Sequence, residues 1–225
     1  MTKQSKLFIV YRICQFIGII LLVRGGYPHL LLLCLLIGFL YGSYICSNEL
    51  KNKTPYGGYA NWVTLLRGIC LVLLLLYYPS ITDLQIAIAG ILLSLSDVLD
   101  GYLARRLGAQ TKMGEYLDEE MDAFYIITIG YIAYTKQLTG FYILLPGIAK
   151  YAKDLLSTIF AAWFSKPIKM PVAKWIAGIS FVAYVTPFIL PVHMYPVITI
   201  SSIMALCLSF IAELILRFRR LAKNQ

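Results

Sequence analysis

Acidic residues inside two neighbouring apolar segments are the first sign of chemistry in this sequence. Asp97 and Asp100 stand three residues apart near the end of one segment, and Asp118 and Asp122 stand four residues apart near the start of the next. In an α-helix, residues at these spacings share one face. Because carboxylates are costly to keep inside an apolar segment, such residues are candidates for function.

The two helices would run antiparallel through the connection 106–113, which brings the two acidic pairs to a similar depth. Asp97 stands eight residues before Arg105, and Asp122 stands six residues after Tyr116. At a rise of about 1.5 Å per residue, both lie roughly 9–12 Å from these ends of the apolar segments. Four carboxylates this close repel one another unless positive charge neutralises them. Oxygen ligands favour hard cations, so the pattern predicts one or two divalent cations, Mg²⁺ or Mn²⁺.

Small and basic residues around these carboxylates suit a phosphate-containing substrate. Gly101 and Gly114 leave backbone open to a ligand, and Ala104 keeps its helix face narrow. Arg105 carries a planar guanidinium that can pair with phosphate oxygens through two hydrogen bonds. The alternative is that the carboxylates are ordinary interfacial charges, solvated or paired with neighbouring basic side chains. Four of them on two facing helices favour the metal and phosphate site.

The composition is that of a helical membrane protein. Of 225 residues, 60% are hydrophobic and 14% are charged, and the mean hydropathy is +0.75. The five cysteines form no pattern typical of a zinc site or a disulfide framework. Apolar runs that can cross roughly 30 Å of hydrocarbon predict an all-α, polytopic bundle of about eight transmembrane helices. The predicted spans are 7–23, 30–46, 59–78, 84–103, 116–135, 140–164, 172–190 and 195–216.

The net charge of +9 is spread between the apolar runs rather than gathered in one basic domain. This distribution argues against a nucleic-acid partner and favours membrane lipids of the anionic cytoplasmic leaflet. If the N-terminus is inside, Arg24 and Lys136 are the only lysine and arginine residues between the predicted spans that fall on the outer side. The sequence therefore predicts a multi-pass integral membrane protein whose two termini and candidate site all face the cytoplasm.

A known family shares this pattern. The stretch Asp97-x-x-Asp100-Gly101-x-x-Ala104-Arg105-x₈-Gly114-x₃-Asp118-x₃-Asp122 resembles the signature of the CDP-alcohol phosphotransferases. The resemblance implies a metal-dependent membrane enzyme, usually a homodimer, with two divalent cations at a site open to the cytoplasm. It also implies a six-helix catalytic domain, here residues 58–225, which leaves 1–57 as an N-terminal transmembrane hairpin of unreadable role.

The resemblance also assigns roles to single residues. Asp122 corresponds to the family's general base. The metal ligands would be Asp97, Asp100, Asp118 and Asp122. Positions that line the CDP pocket or contact the donor correspond to Gly101, Ala104, Arg105, Thr111 and Gly114.

A weaker element lies upstream, at Asn61, Thr64 and Arg67. It is similar to a family segment, Pro-Asn-x-x-Thr-x-x-Arg, that closes over the nucleotide, although Ala60 replaces the proline. The resemblance places Asn61 and Thr64 on the cytosine or ribose. The alternative is that these two residues form an interfacial helix N-cap, and that Arg67 snorkels or pairs internally.

Two lysines on the sixth predicted span could bind an anionic acceptor. Lys150 and Lys153 lie on its cytoplasmic half, near the carboxylates in depth. The equally weighted alternative is structural, because Lys150 and Asp154 stand four residues apart and can neutralise each other.

The sequence thus favours a phospholipid-synthesis enzyme that transfers a phosphatidyl group from a CDP-linked lipid donor to a small alcohol. CDP-diacylglycerol is the expected donor, glycerol phosphate or inositol phosphate the expected type of acceptor, and CMP the released product. One alternative transfers a CDP-linked choline-type or ethanolamine-type headgroup to diacylglycerol. Another is a divalent-cation transporter, which would need polar residues beyond Asp122, where the sequence is apolar.

Overall fold

The computed structural model describes residues 3–25, 59–106, 112–159 and 171–223. Within these ranges the chain forms seven α-helices, three short 3₁₀ segments and no strand, which confirms the all-α prediction for this part of the protein. The helices are α1 Lys3–Gly25, α2 Tyr59–Tyr77, α3 Asp83–Arg106, α4 Lys112–Thr135, α5 Leu145–Ile159, α6 Pro171–Ala183 and α7 Tyr195–Lys223.

Two of the described helical segments are long and apolar enough to cross a membrane. They are Trp62–Ser80, with a mean hydropathy of 1.7, and Tyr195–Leu216, with a mean hydropathy of 2.1. The predicted second span, 30–46, lies outside the described residues. The total of eight spans therefore stays a prediction.

The predicted span 172–190 is interrupted near its end. Helix α6 stops at Ala183, and a 3₁₀ segment, Thr186–Phe188, follows it. Pro187 explains the break, because proline has no N–H to donate to the carbonyl of Ala183 four residues earlier. Sequence hydropathy shows the apolar run here but not the change of helix type.

Helix α4 is deeply buried in the bundle. It packs against α2 and α5, while α3 packs against α2 and α6. Helix α7 contacts both α5 and α6 and so closes a ring of six helices, and α1 packs against α5. All residues of α4 from 123 to 133 are buried, so this helix fixes the positions of the carboxylates at its start.

An apolar stripe on α2 faces away from the bundle. Its members are at least 48% exposed and recur every three or four residues, so they share one face: Trp62, Leu66, Ile69 and Leu73. Such a face is suited to lipid.

An ion pair ties the two carboxylate-bearing helices together at the end opposite the carboxylates. Lys136 Nζ, just after α4, donates to Asp83 Oδ1 at 2.8 Å and to the carbonyl oxygen of Ile81 at 3.2 Å. Asp97 is fourteen residues further along α3 than Asp83, or about 21 Å at 1.5 Å per residue. The Lys136 end and the carboxylate end are thus separated by most of a bilayer's thickness.

We predict that these two ends face opposite sides of the membrane, with the connection 107–111 and both termini in the cytoplasm. In a cysteine-free background, Ala109→Cys should resist an impermeant thiol reagent in intact cells and react after permeabilisation. Gln137→Cys, beside Lys136, is the matched control and should react in intact cells. Labelling of Ala109→Cys from outside, with Gln137→Cys protected, would contradict the orientation.

Candidate active site

Three carboxylates from two helices converge at one end of the bundle. Asp97 comes from α3, and Asp118 and Asp122 come from successive turns of α4. One oxygen from each lies within 4.8 Å of the others. Their side chains are 26%, 49% and 30% exposed, respectively, so a ligand can reach them. Asp100, one turn after Asp97, belongs to α3 by its backbone, but its side chain lies outside the described part of the structure.

A buried arginine contacts all three of these carboxylates. The guanidinium of Arg67, on α2, donates to Asp97, to Asp122 Oδ1 at 3.2 Å and to Asp118 Oδ1 at 3.4 Å. The Arg67 side chain is only 2% exposed. Of the two alternatives that the sequence left for this residue, internal pairing is the one observed. Arg67 thereby joins α2 to both carboxylate-bearing helices.

The donor set and its charge fit a divalent cation. Oxygens on opposite sides of a Mg²⁺ ion, each about 2.1 Å from it, lie about 4.2 Å apart. The 4.8 Å cluster is close to this spacing, and all its ligand atoms are carboxylate oxygens. Three carboxylates and the single guanidinium of Arg67 also leave two negative charges unneutralised among these four side chains.

A hydroxyl cluster fixes the helices one turn deeper than the carboxylates. The Tyr125 hydroxyl on α4 lies 3.1 Å from the carbonyl oxygens of both Gly90 on α3 and Phe181 on α6. Ser94 Oγ on α3 lies 3.0 Å from the same hydroxyl. Since Tyr125 and Ser94 each stand three residues from a site carboxylate, these bonds set the spacing between α3 and α4 at the site.

The residues predicted to hold the CDP group are described only in part. Thr64 is buried on α2, one turn before Arg67, and Gly114 lies in the first turn of α4, one turn before Asp118. Thr111 lies outside the described residues. Gly101 has helical backbone. Asn61, Ala104 and Arg105 also have helical backbone, but their side chains lie outside the described part. The CDP pocket therefore stays a prediction.

Both candidate acceptor lysines take part in ion pairs. Lys150 Nζ lies 3.2 Å from the carboxylate of Asp154, as the structural alternative predicts. Lys153 Nζ lies 2.8 Å from Glu213 Oε2 on α7, a contact that the sequence did not suggest. The two lysine side chains are 12% exposed. Acceptor binding by Lys150 and Lys153 remains a prediction. An acceptor phosphate would have to share each lysine with the carboxylate that it already pairs with.

We predict that Arg67→Met destabilises the metal-free protein and enlarges the stabilisation by Mn²⁺. Without the guanidinium, three carboxylates face one another, and losing hydrogen bonds to a charged group costs about 1.5–3 kcal/mol. Thermal unfolding of detergent-solubilised protein in EDTA should show a lower Tm than wild type, with much of the loss recovered in Mn²⁺. Arg24→Met, at the exposed end of α1, is the control. A wild-type Tm in EDTA would contradict this role.

Comparison with known proteins connects this geometry to a family. Residues 58–219 match the CDP-alcohol phosphatidyltransferase family, which is well over half of the 225-residue chain and contains all of the site described above. The chain belongs to the CDP-alcohol phosphatidyltransferase family. This confirms the resemblance drawn from the acidic signature. Helix α1 lies outside the part that matches.

Two curated relatives of this phosphatidyltransferase-family chain carry the same name, CDP-diacylglycerol–glycerol-3-phosphate 3-phosphatidyltransferase. The one from Wigglesworthia glossinidia brevipalpis is 31% identical over 80 residues, which cover 36% of this chain and 43% of the relative. The one from Haemophilus influenzae is 31% identical over 88 residues, which cover 39% of this chain and 45% of the relative. The chain thus spans less than half the length of each of these relatives.

Proposed function

We propose that this protein is a metal-dependent phosphatidyl transferase of phospholipid synthesis. It would transfer the phosphatidyl group of CDP-diacylglycerol to the hydroxyl of a polar alcohol and release CMP. The convergence of Asp97, Asp118 and Asp122 in a chain of the CDP-alcohol phosphatidyltransferase family carries this proposal. The name of the two relatives makes glycerol 3-phosphate the first acceptor to test, and inositol phosphate is the second.

The proposed chemistry is one displacement at phosphorus. Two divalent cations, held by Asp97, Asp100, Asp118 and Asp122, would neutralise the donor's pyrophosphate and polarise the bond that breaks. Asp122 accepts the proton of the acceptor hydroxyl. The acceptor oxygen then bonds to the phosphorus that carries diacylglycerol, and the bond from that phosphorus to the CMP oxygen breaks. CMP leaves with the electron pair.

The surrounding residues would hold the two substrates. Arg105 is suited to the donor phosphates because its guanidinium makes paired, charge-assisted hydrogen bonds. The other proposed CDP contacts are Asn61, Thr64, Gly101, Ala104, Thr111 and Gly114. Arg67 is too deeply buried to pair freely with a substrate, and we assign it the task of holding α2 against the carboxylates.

A lipid donor also requires access from the bilayer. The exposed apolar stripe of α2 begins at Trp62, five residues before Arg67, and gives the acyl chains of a donor an apolar surface beside the site. We propose that the site faces the cytoplasm in a bundle of about eight transmembrane helices that pairs as a homodimer, with 1–57 as a hairpin added to the 58–225 catalytic domain.

The divalent-cation transporter is disfavoured by the interior of α4. Beyond Asp122, residues 123–133 are all buried and uncharged, and their polar side chains are one threonine and two tyrosines. The Tyr125 hydroxyl is already bonded to the neighbouring helices. An ion path along this helix would need polar groups to replace the hydration of the cation. A site at one end of an apolar helix suits a surface reaction better than a pore.

Assaying donors and acceptors in all pairings tests the proposal. Purified protein with Mn²⁺ is given CDP-diacylglycerol and one acceptor at a time (glycerol 3-phosphate, inositol phosphate, inositol or serine), and CMP release is measured. We expect release with CDP-diacylglycerol and a phosphorylated polyol. Release only from CDP-choline or CDP-ethanolamine with diacylglycerol would establish the headgroup alternative instead. The absence of CMP release in every pairing would contradict the enzyme proposal.

We predict that Lys150→Ala and Lys153→Ala raise the KM for an anionic acceptor more than the KM for the donor. Each variant removes a cation that would contact the acceptor phosphate. Steady-state kinetics with both substrates varied separately give the two constants. Lys136→Ala, at the other end of the bundle, is the control. Equal changes in the two constants, or no change, would mean that the lysines serve only their pairs with Asp154 and Glu213.

A further inference from the structure

Helix α1 carries buried polar residues although it lies outside the family match. Tyr11, Arg12 and Gln15 are 4%, 7% and 0% exposed, and they lie within four residues of one another, on one side of the helix. A helix that only spanned the lipid bilayer would not bury an arginine and a glutamine, because each side chain is costly to desolvate. The partners of these side chains therefore indicate what α1 does.

One partner is Glu120, on the helix that carries two of the site carboxylates. Glu120 stands two residues from both Asp118 and Asp122, so it projects from about the opposite side of α4. It pairs with Arg12, accepts a hydrogen bond from Gln15 Nε2 at 2.7 Å, and lies 3.4 Å from the Tyr11 hydroxyl. Helix α1 thus binds the back of α4, while the front of α4 carries the site.

Arg12 donates to its helix neighbour Gln15 at 2.8 Å, and it also lies near Asp154, on α5. Arg12 Nη1 lies 4.0 Å from Asp154 Oδ2, and the same carboxylate is 3.2 Å from Lys150 Nζ. Glu120, Arg12, Asp154 and Lys150 therefore form an alternating chain of charges that runs from α4 through α1 to α5. Losing Arg12 would remove the cation that competes with Lys150 for Asp154, so Asp154 would hold Lys150 more tightly.

We propose that Arg12 is a positioning residue for the acceptor. By bridging Glu120 and Asp154 it holds α5 in register with α4, and by sharing Asp154 it leaves Lys150 able to engage an anionic phosphate. This inference rests on the proposed function and gives the added N-terminal helix a part in the reaction. Arg12 does not touch substrate, and it acts through Lys150.

Kinetics with each substrate varied separately test this role. Arg12→Gln should raise the KM for the anionic acceptor about tenfold or more, the effect of weakening one charge-assisted hydrogen bond. The donor KM and the Mn²⁺ affinity, measured by binding rather than activity, should stay within about twofold, since neither depends on Lys150. Arg12→Lys should restore most of the acceptor KM. Arg24→Gln, exposed on the same helix, is the control. If the acceptor KM, the donor KM and the Mn²⁺ affinity all change equally, or if none of them changes, the positioning role is overturned.

A double-mutant cycle tests the α1–α4 link without using activity. Tm is measured for Arg12→Gln, Glu120→Gln and the double variant, which replaces the ion pair with two neutral amides. The two losses should be strongly non-additive, because each single variant leaves a buried charge without its partner. Additive losses in an active protein overturn the inference and leave the proposed function standing. A coupled cycle in a wild type that releases no CMP overturns the proposed function instead. If Arg12→Gln does not fold but the double variant does, the two losses are non-additive, and the double variant, which lacks Arg12, supplies the kinetic comparison.

Discussion

Asp122→Asn is expected to lower turnover by about 10²–10⁴-fold, the usual contribution of a positioned base, while the protein still folds and binds its donor. Asparagine keeps the size of the side chain and one oxygen, but it cannot accept the proton of the acceptor hydroxyl. That oxygen can still accept the hydrogen bond from Arg67, which is 3.2 Å long in the wild type. The junction of α2 with α4 should therefore persist in the variant.

Rapid-quench turnover and equilibrium binding of the CDP-linked donor separate the roles of Asp122. Donor affinity should stay within about tenfold of wild type as turnover falls. Glu119→Gln is the matched control, because Glu119 is an exposed carboxylate on the same helix, one residue from Asp118. Turnover within a few-fold of wild type would mean that the base is elsewhere. Loss of donor binding would mean that Asp122 acts chiefly as a metal ligand.

Asp97→Asn and Asp118→Asn are each expected to remove bound divalent cation and, with it, transfer activity. Both variants take one negative charge from a three-oxygen cluster only 4.8 Å across. Changing a residue that merely supports a ligand typically costs about 10–100-fold in metal affinity, so losing a ligand should cost more. Mn²⁺ titration of the purified variants, followed by electron paramagnetic resonance, measures this affinity directly.

Asp83→Asn is the control for these two variants. Asp83 lies on the same helix as Asp97 but pairs with Lys136 at the far end of the bundle, so its loss should leave Mn²⁺ binding unchanged. Full transfer activity in excess EDTA would contradict the metal role. Wild-type Mn²⁺ affinity in both site variants would contradict the ligand assignment.

The acidic pairs and the helical class could be predicted from the sequence because both depend on local periodicity. A spacing of three or four residues places two side chains on one helix face whatever the tertiary fold is. Asp118 and Asp122 therefore act as neighbours in both the sequence and the structure. The pairing of Lys150 with Asp154 could be predicted for the same reason, as one of two alternatives.

The contacts across the fold were not predictable in this way. Arg67 is a lone charge in the apolar run of α2, which predicts an internal partner but does not identify three carboxylates on α3 and α4. Tyr125 is one of 17 tyrosines, and its sequence neighbours give no sign that it holds three helices together. The Tyr11 and Glu120 side chains are 109 positions apart. Only the packing of α1 against the bundle brings them together.

The most direct test of the central claim is the stoichiometry of the transfer reaction. Wild-type protein in lipid vesicles is given CDP-diacylglycerol, labelled glycerol 3-phosphate and Mn²⁺, and both CMP and the labelled phospholipid are quantified over time. We predict that the two products form one to one, that EDTA stops both, and that renewed Mn²⁺ restores both. If CMP is released but no labelled phospholipid forms, with glycerol 3-phosphate or any other alcohol, the protein is not a phosphatidyl transferase. If both products form equally well in EDTA, the transfer does not depend on a metal.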